Sequence, residues 1–313
     1  MKSLVTGVAG FIGSHLAERL LQEGHEVCGV DSFLDNYSRQ MKELNLSHLS
    51  RHSRFKFVER DLALPNLTEF VQEDFYVFHL AGQPGVRASW GQEFVHYTHN
   101  NVLATQNLLE ACRGKGIKKF VYASSSSVYG DTHDLPMRED GMTRPVSPYG
   151  VTKLAAEHLC YLYWKSFGVP TVSLRFFTVY GPRQRPDMFF HIFMRALLSN
   201  EEIPLFDDGF QSRDFTFCSD IVEGVVAASL YSGCGEVFNL GGGSRTTLLE
   251  AITLLEKISG RKARLNKFGR QQGDARHTEA EIGRARKQLD FSPKVALAEG
   301  LAREWEWIRE TGN

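Results

Sequence analysis

The sequence predicts an α/β chain: a doubly wound parallel sheet carrying a smaller, mostly helical lobe. Short apolar β-runs alternate with helical segments through about residue 175, the signature of parallel strands joined by helical crossovers. The first β-run enters a glycine turn that opens directly into a helix. The rhythm then breaks at a stretch rich in Gly, Pro and Arg, residues 177–188, where a second lobe begins.

Taken in order, Ser3-Leu4-Val5-Thr6 is a buried-strand pattern that runs into Gly7-Val8-Ala9-Gly10-Phe11-Ile12-Gly13 and a helix through Leu21. Strand, glycine turn and helix are the context a dinucleotide fingerprint needs, because backbone N–H groups can then approach a pyrophosphate at a helix N-terminus. The spacing is GxxGxxG, and an ordinary βαβ unit without ligand is the competing reading. Residues 26–30 form a second strand ending in Asp31. A carboxylate there accepts from a ribose diol and repels a 2′-phosphate, which favours NAD over NADP. Residues 32–54, with Asp35, Asn36, Arg39 and Lys42, read as an irregular polar cover over the adenosine. A third strand, residues 55–58, closes on Asp61, placed to accept from an adenine amino group.

Residues 76–80 form a fourth strand, followed by Ala81-Gly82-Gln83, small enough to let backbone press on a cofactor. One long amphipathic helix is expected over roughly 94–112, with Asn100 and Asn101 near its start. A fifth strand, residues 119–123, delivers Ser124-Ser125-Ser126-Ser127-Val128-Tyr129-Gly130. Four serines can be a linker, but at the carboxyl end of a parallel strand their hydroxyls stand where such sheets bind ligands.

The stretch with most chemistry in it is Ser147-Pro148-Tyr149-Gly150-Val151-Thr152-Lys153. Ser147 is a good N-cap and Pro148 suits the first helical position, so Tyr149 and Lys153 share one helix face. An ammonium beside the phenol is expected to lower its pKa from about 10 and make Tyr149 a general base. A Tyr and a Lys on a solvated face is the bland alternative. The helix stops at Gly168, a sixth strand spans 171–176, and residues 189–198 are helical. Around 221–230 and 237–241 the chain returns to the first lobe; from Thr246 onward it reads as helical with charged turns.

A chain of 313 residues, 42% hydrophobic and 23% charged, is that of a soluble globular protein with room for two lobes. A net charge of -1 gives no support to nucleic acid or an anionic membrane as partner. Five dispersed cysteines without a CxxC pair, and scattered histidines without HExxH, point to a reducing compartment and no metal site. No apolar run reaches membrane-spanning length, and Gly7, Gly10 and Gly13 break the N-terminal apolar stretch, so a cytoplasmic location is expected.

Together these motifs resemble the extended short-chain dehydrogenase/reductase family, and within it the nucleotide-sugar epimerases and dehydratases. The resemblance spans essentially the whole chain and rests on the glycine triad, Asp31, the serine run, Tyr149-x-x-x-Lys153 and Arg213-Asp214-Phe215. Its nearest likeness is to UDP-glucuronate 4-epimerases, through His79-Leu80-Ala81-Gly82-Gln83-Pro84-Gly85-Val86-Arg87 and the run from Arg175 to Met188. The resemblance implies a Rossmann-like fold divided as 1–177 with a return near 214–241 for NAD, and 178–213 with 242–313 for a UDP-sugar. Tyr149, Lys153 and Ser125 become the catalytic set. Gly7, Gly10, Phe11, Ile12, Gly13, Asp31, Ser32, Asp61, Leu62, Leu80, Ala81, Gly82, Gln83, Asn100, Ser124 and Phe176, with Tyr149 and Lys153, become the cofactor set.

On the substrate side it implies Arg213 and Arg276 for a diphosphate and Phe206 beside uracil, with Arg87 also assigned there. Arg185, Thr178 and Ser125, Ser126 or Ser127 would hold the sugar and its carboxylate, Arg185 by a bidentate clamp. A surface arginine in a loop is the alternative for Arg185. Related 4,6-dehydratases carry Asp-Glu where Ser126-Ser127 stand, and related decarboxylases carry Glu at Ser127, so neither elimination nor CO₂ loss is favoured. The implied reaction is NAD-dependent C4 epimerisation of UDP-glucuronate to UDP-galacturonate through a 4-keto sugar. Neutral UDP-hexose epimerisation, decarboxylation and a catalytically silent NAD-sensing protein remain as alternatives, and a homodimer through helices near 94–112 and 149–167 is implied.

Overall fold

In the computed structural model, which describes residues 1–312, the first half of the chain alternates strand and helix. The order is β1 (Lys2–Thr6), α1 (Phe11–Gln22), β2 (Glu26–Asp31), α2 (Arg39–Leu46), β3 (Phe55–Glu59), β4 (Phe75–His79), α3 (Phe94–Tyr97), α4 (Ala104–Cys112), β5 (Lys119–Ser125), α5 (Pro148–Phe167) and β6 (Thr171–Phe176). Then follow β7 (Thr178–Tyr180), α6 (Phe189–Ser199), β8 (Glu202–Phe206), β9 (Ser212–Phe217), α7 (Cys218–Leu230) and β10 (Glu236–Leu240). The tail holds β11 (Ser244–Thr247), α8 (Leu248–Ser259), β12 (Arg264–Phe268), α9 (Gly283–Leu289) and α10 (Leu297–Thr311).

Seven strands form one sheet in the order β10-β6-β5-β4-β1-β2-β3, every pair parallel. The order reverses between β1 and β4, which opens a crevice at the carboxyl ends of those strands. Helices cover both faces, so central strands are apolar on both sides. Val5 and Val121 pack with Leu16 and Leu20 of α1 and Ile221 of α7 on one face. Leu4, Phe120 and Tyr122 pack with Leu108 of α4 and Ala156 and Cys160 of α5 on the other.

Three expectations need correction. Residues 32–54 are not wholly irregular, since α2 lies within them; it turns only Lys42, Asn45 and Leu46 inward, too little apolar surface for a helical period to show. The helix expected over 94–112 is interrupted by a π-helical turn, Thr98–Leu103, whose extra residue rotates the helix face between α3 and α4. Beyond residue 176 the chain also forms two small sheets, β11-β9-β7 and β12-β8. Their strands span only three to six residues, too short for an alternating pattern to read.

A buried polar network joins the strands under the crevice. Arg175 of β6 pairs with Glu157 of α5, both side chains only 6% exposed, with Nε 3.1 Å from Oε2. Ser124 of β5 donates to the same carboxylate at 2.8 Å. Arg175 donates onward to the Tyr129 hydroxyl (2.8 Å), which donates to Asn239 of β10 (2.7 Å). Removing one member of such a pair strands the other charge, at a cost of about 3–5 kcal/mol, while replacing both with apolar residues of similar volume is often neutral. Glu157→Leu should therefore lower the urea-unfolding free energy by about 3–5 kcal/mol, and Glu157→Leu/Arg175→Met should recover much of the loss. Equal stability of the single and double variants would contradict this.

Candidate active site

The crevice begins with two glycines that no other residue can replace. Gly7 follows β1 at φ +70°, and a Cβ there would stand 2.8 Å from the Ala81 nitrogen. Gly13, inside α1, would bring a Cβ to 2.1 Å from the Gly7 carbonyl. Both contacts lie far inside van der Waals distance, so backbone packs on backbone and the amides at the start of α1 stay open. Gly10 caps that helix without a side chain, leaving those amides for an anion. Asp31 closes β2, accepting from Ala9 N–H (3.0 Å) and Phe33 N–H (2.9 Å). Burial pushes its carboxyl pKa upward, against the pull of those donors and of Lys42.

Every residue of the expected cofactor set lines this one cavity. Gly7, Gly10, Phe11, Ile12 and Gly13 form the turn, with Asp31 and Ser32 after β2 and Asp61 and Leu62 after β3. Leu80, Ala81, Gly82 and Gln83 follow β4, Asn100 comes from the π turn, and Ser124, Phe176, Tyr149 and Lys153 close the far end. Of the polar cover, Asn36 and Lys42 reach the cavity, whereas Arg39 turns away to Glu43 and Glu59. Tyr37 and Arg60 also line it, and the buried Arg60 Nε has no protein partner among the described residues. The glycine cradle, the Asp31 carboxylate and this free donor suit an adenine dinucleotide.

A second cavity adjoins the first, sharing Phe11, Ile12, Pro84, Ser124, Phe176, Tyr149 and Arg185 with it. It is also lined by Arg87, Ser125, Ser126, Ser127, Thr178 and Phe206. Arg213 and Arg276 are not in it; they line a side pocket that shares Phe206, Gln211 and Asp274 with it. Arg276 is held by Asp207 and Asp208 (2.6 Å each), and Arg87 pairs with Asp274 at 2.7 Å while stacking on Phe206. Arg185 forms a fork with Asp187, both contacts 3.0 Å.

Tyr149 and Lys153 sit on α5 as its cap dictates. The Ser147 hydroxyl accepts from Gly150 N–H at 3.1 Å, Pro148 opens the helix and Gly168 ends it at φ +70°. The electrostatics differ from expectation. Burial raises the Tyr149 phenol above its ordinary value, opposed by a hydrogen bond from Ser125 and by the charge of Arg185. Lys153 is not what draws the phenol down; its own pKa is lowered to about 8 by burial, and its Nζ lies 4.7 Å from the centroid of the Tyr122 ring.

Sequence reasoning left two positioning groups unassigned. Asn101 accepts from Gln83 N–H (2.7 Å) and donates to Gln83 C=O (3.1 Å) and the Thr152 hydroxyl (3.0 Å), which in turn donates to Tyr149 C=O. The π turn presents Asn100 to the cavity and Asn101 to Gln83 and Thr152, and nothing in the local sequence announces it. His79 is the other. Ala81 N–H donates to Thr6 Oγ1, whose hydroxyl is 2.8 Å from His79 Nδ1; Thr105 Oγ1 is 2.9 Å from Nε2 and donates to Asn101 C=O. Thr105 has spent its proton, so Nε2 must donate and Nδ1 accept, which fixes the tautomer.

The comparisons with known proteins bear on this geometry. Residues 3–241 match the model of the NAD dependent epimerase/dehydratase family. The chain belongs to that family. A UDP-glucuronate 4-epimerase of Thermodesulfobacterium geofontis is 39% identical, over 98% of this chain and 96% of its own. An uncharacterized UDP-glucose epimerase, YtcB of Bacillus subtilis, is 46% identical over 98% of each chain. The crystal structure of UDP-glucuronic acid 4-epimerase from Bacillus cereus with UDP-glucuronic acid and NAD superposes with a TM-score of 0.96 at 44% identity, covering 99% of this chain and 100% of that one. Among the described residues no helix is long and apolar enough to cross a membrane.

In this epimerase/dehydratase two histidines make the fold acid-sensitive. Burial, helped by Lys153, lowers His79 to about 3, and burial, helped by Arg183, lowers His15 to about 4. The unfolded chain binds these protons near pH 6.5 and the folded one does not, so stability present above about 6.5 is lost as pH falls toward 4, by roughly 1.4 kcal/mol per unit from each histidine. The buried Glu304 carboxyl, raised well above its ordinary value, acts in the opposite sense over this range. The measurement therefore compares urea unfolding between pH 7 and 5 with that of His79→Gln: the variant should lose less stability toward low pH, and parallel profiles would contradict the assignment.

Proposed function

We propose that this chain is an NAD-dependent 4-epimerase of UDP-hexuronic acids, interconverting UDP-glucuronate and UDP-galacturonate through a transient 4-keto sugar. One observation carries the reading: Arg185 and Tyr149 both stand where the cofactor cavity meets the second cavity, with Thr178, Ser126 and Ser127 lining the same space. A planar cation beside hydroxyls matches a carboxylate borne by C5, the carbon adjoining C4. The solved relative named with UDP-glucuronic acid and NAD supports it.

In this reading Tyr149 is the base for the C4 hydroxyl, and the Ser125 hydroxyl shares that proton path. Bound NAD would supply the hydride chemistry at C4. Gly7, Gly10 and Gly13 leave room for the pyrophosphate, Asp31 takes the adenosine ribose and Lys153 the nicotinamide ribose. Arg185, Thr178 and Ser127 hold the uronate carboxylate so that the C5–C6 bond stays out of line with the C4 carbonyl π system, which keeps CO₂ in place. For Arg213 and Arg276 to take the diphosphate, Arg276 must exchange its aspartates for phosphate oxygens. The division into 1–177 with 214–241 for the cofactor, and 178–213 with 242–313 for the UDP-sugar, belongs to the same proposal.

A homodimer and a cytoplasmic location complete it. Val151, Tyr161, Leu162 and Phe167 are exposed along α5, and Leu103 on the π turn, an apolar face suited to a second copy. Five free cysteines suit a reducing compartment.

A proton NMR time course with UDP-glucuronate is the direct test: an anomeric signal of UDP-galacturonate without pentose is expected. A UDP-pentose signal would mean decarboxylation, and turnover of UDP-glucose alone would move the assignment to neutral sugars. Tyr149→Phe should keep NAD and cut turnover by about 10²–10⁴-fold. Arg185→Ala should lower kcat/KM on UDP-glucuronate by roughly 10–100-fold, the scale of a lost charged hydrogen bond, and lower it less on UDP-glucose, which loses only the charge near the phenol. Unchanged selectivity for the uronate would sink the clamp.

A further inference from the structure

The segment Gly181-Pro182-Arg183-Gln184 lines neither cavity, yet every one of its residues is bonded to a neighbouring element: Gly181 to α10, Pro182 and Arg183 to α1, and Gln184 to β7 and α6. Gly181 N–H donates to Glu304 Oε2 of α10 at 2.9 Å. The Pro182 carbonyl accepts from His15 Nε2 of α1 at 2.8 Å. Arg183 holds Glu18 of α1 at 2.7 Å and the Ser14 hydroxyl at 3.2 Å. Gln184, only 1% exposed, donates to Val179 C=O (3.1 Å) and accepts from His191 N–H (3.1 Å). Arg183 is also held at φ +68°, a backbone region that residues other than glycine seldom occupy without compensating contacts. The residue that follows this bolted segment is Arg185.

Helix α1 therefore has two duties. Its first turn borders the cofactor cavity, through Phe11, Ile12 and Gly13, while Ser14, His15 and Glu18 form one contiguous face that grips the loop before Arg185. We propose that Glu18 and His15 are positioning residues for uronate recognition: through Arg183 and the Pro182 carbonyl they set where the Arg185 guanidinium meets the sugar. This rests on the reading of Arg185 as the carboxylate clamp. A displaced fork loses most where both of its N–H groups must meet one carboxylate, and least for the nucleotide half of the substrate, which Arg185 does not serve.

The test uses the NAD-loaded protein with Glu18→Gln, which removes the charge but keeps the size. KM for UDP-glucuronate should rise about tenfold with kcat nearly unchanged, while the dissociation constants of UDP and of NAD, read by calorimetry, stay within about twofold. Glu18→Asp should restore part of the affinity, and Arg183→Lys, which keeps charge but loses the fork, should mimic Glu18→Gln. In an Arg185→Ala background Glu18→Gln should add nothing, because the two act through one group. Equal weakening of UDP and UDP-glucuronate, an unchanged KM, or full additivity with Arg185→Ala would each reduce the bracket to a fold contact and overturn the proposal. If Arg185→Ala alone leaves uronate selectivity intact, the clamp reading has failed, and the proposal falls with it for that separate and visible reason.

Discussion

The ion pair between Arg175 and Glu157 is the constraint on which the site depends. It lies at the junction of β5, α5, β6 and β10, and the Ser124 hydroxyl that borders both cavities is one of its donors. Tyr149 and Lys153 hang from the same helix as Glu157, while Phe176 and Thr178 follow Arg175 by one and three residues. Holding Arg175 to Glu157 therefore sets the floor of the cofactor cavity and the wall of its neighbour in one stroke. Apolar residues in both places would keep much of the stability, but they would not orient Ser124.

Burial governs the electrostatics above that floor, and it acts in opposite senses on neighbouring groups. It raises the Tyr149 phenol, lowers the Lys153 ammonium and keeps His79 neutral. A neutral imidazole can then relay a directed chain of hydrogen bonds from the Ala81 amide to the Asn101 carbonyl, tying β1, β4 and the π turn together without adding a charge beside Lys153. Arg185 is the cation that reaches the phenol from the protein side. Under the proposed function the same residue serves both the electrostatics of proton transfer and the recognition of the sugar.

The segments beyond residue 176 are joined to the first half of the chain by loops as well as by one continuous hydrophobic core. The loop from Gly181 to Gln184 is clasped by α1 and α10, and Asp131 accepts from the Arg276 amide and from Arg270. The cations that face the second cavity and its side pocket are largely matched by aspartates of the protein itself, as Arg87, Arg185 and Arg276 show. A substrate with several anionic groups would bind by exchange of partners, which favours a ligand that offers its charges at the right spacing over one that is merely anionic.

Local constraints were legible from residues alone. The glycine turn, Asp31 at the end of β2, the Ser147-Pro148 cap and the Gly168 stop follow from backbone geometry and capping within a few positions, and the structure has each where its neighbours require it. The parallel sheet followed from apolar runs that must be covered on both faces. What only the tertiary structure decided are relations between residues distant in the chain: Glu157 with Arg175, Glu18 with Arg183, Arg276 with Asp207 and Asp208, and His79 between Thr6 and Thr105. The pKa of Tyr149 belongs there too, since the Lys153 spacing suggested a lowered value and the depth of burial reversed it. Spacing along a helix fixes which side chains are neighbours, but desolvation depends on everything packed around them, and that is a property of the folded chain.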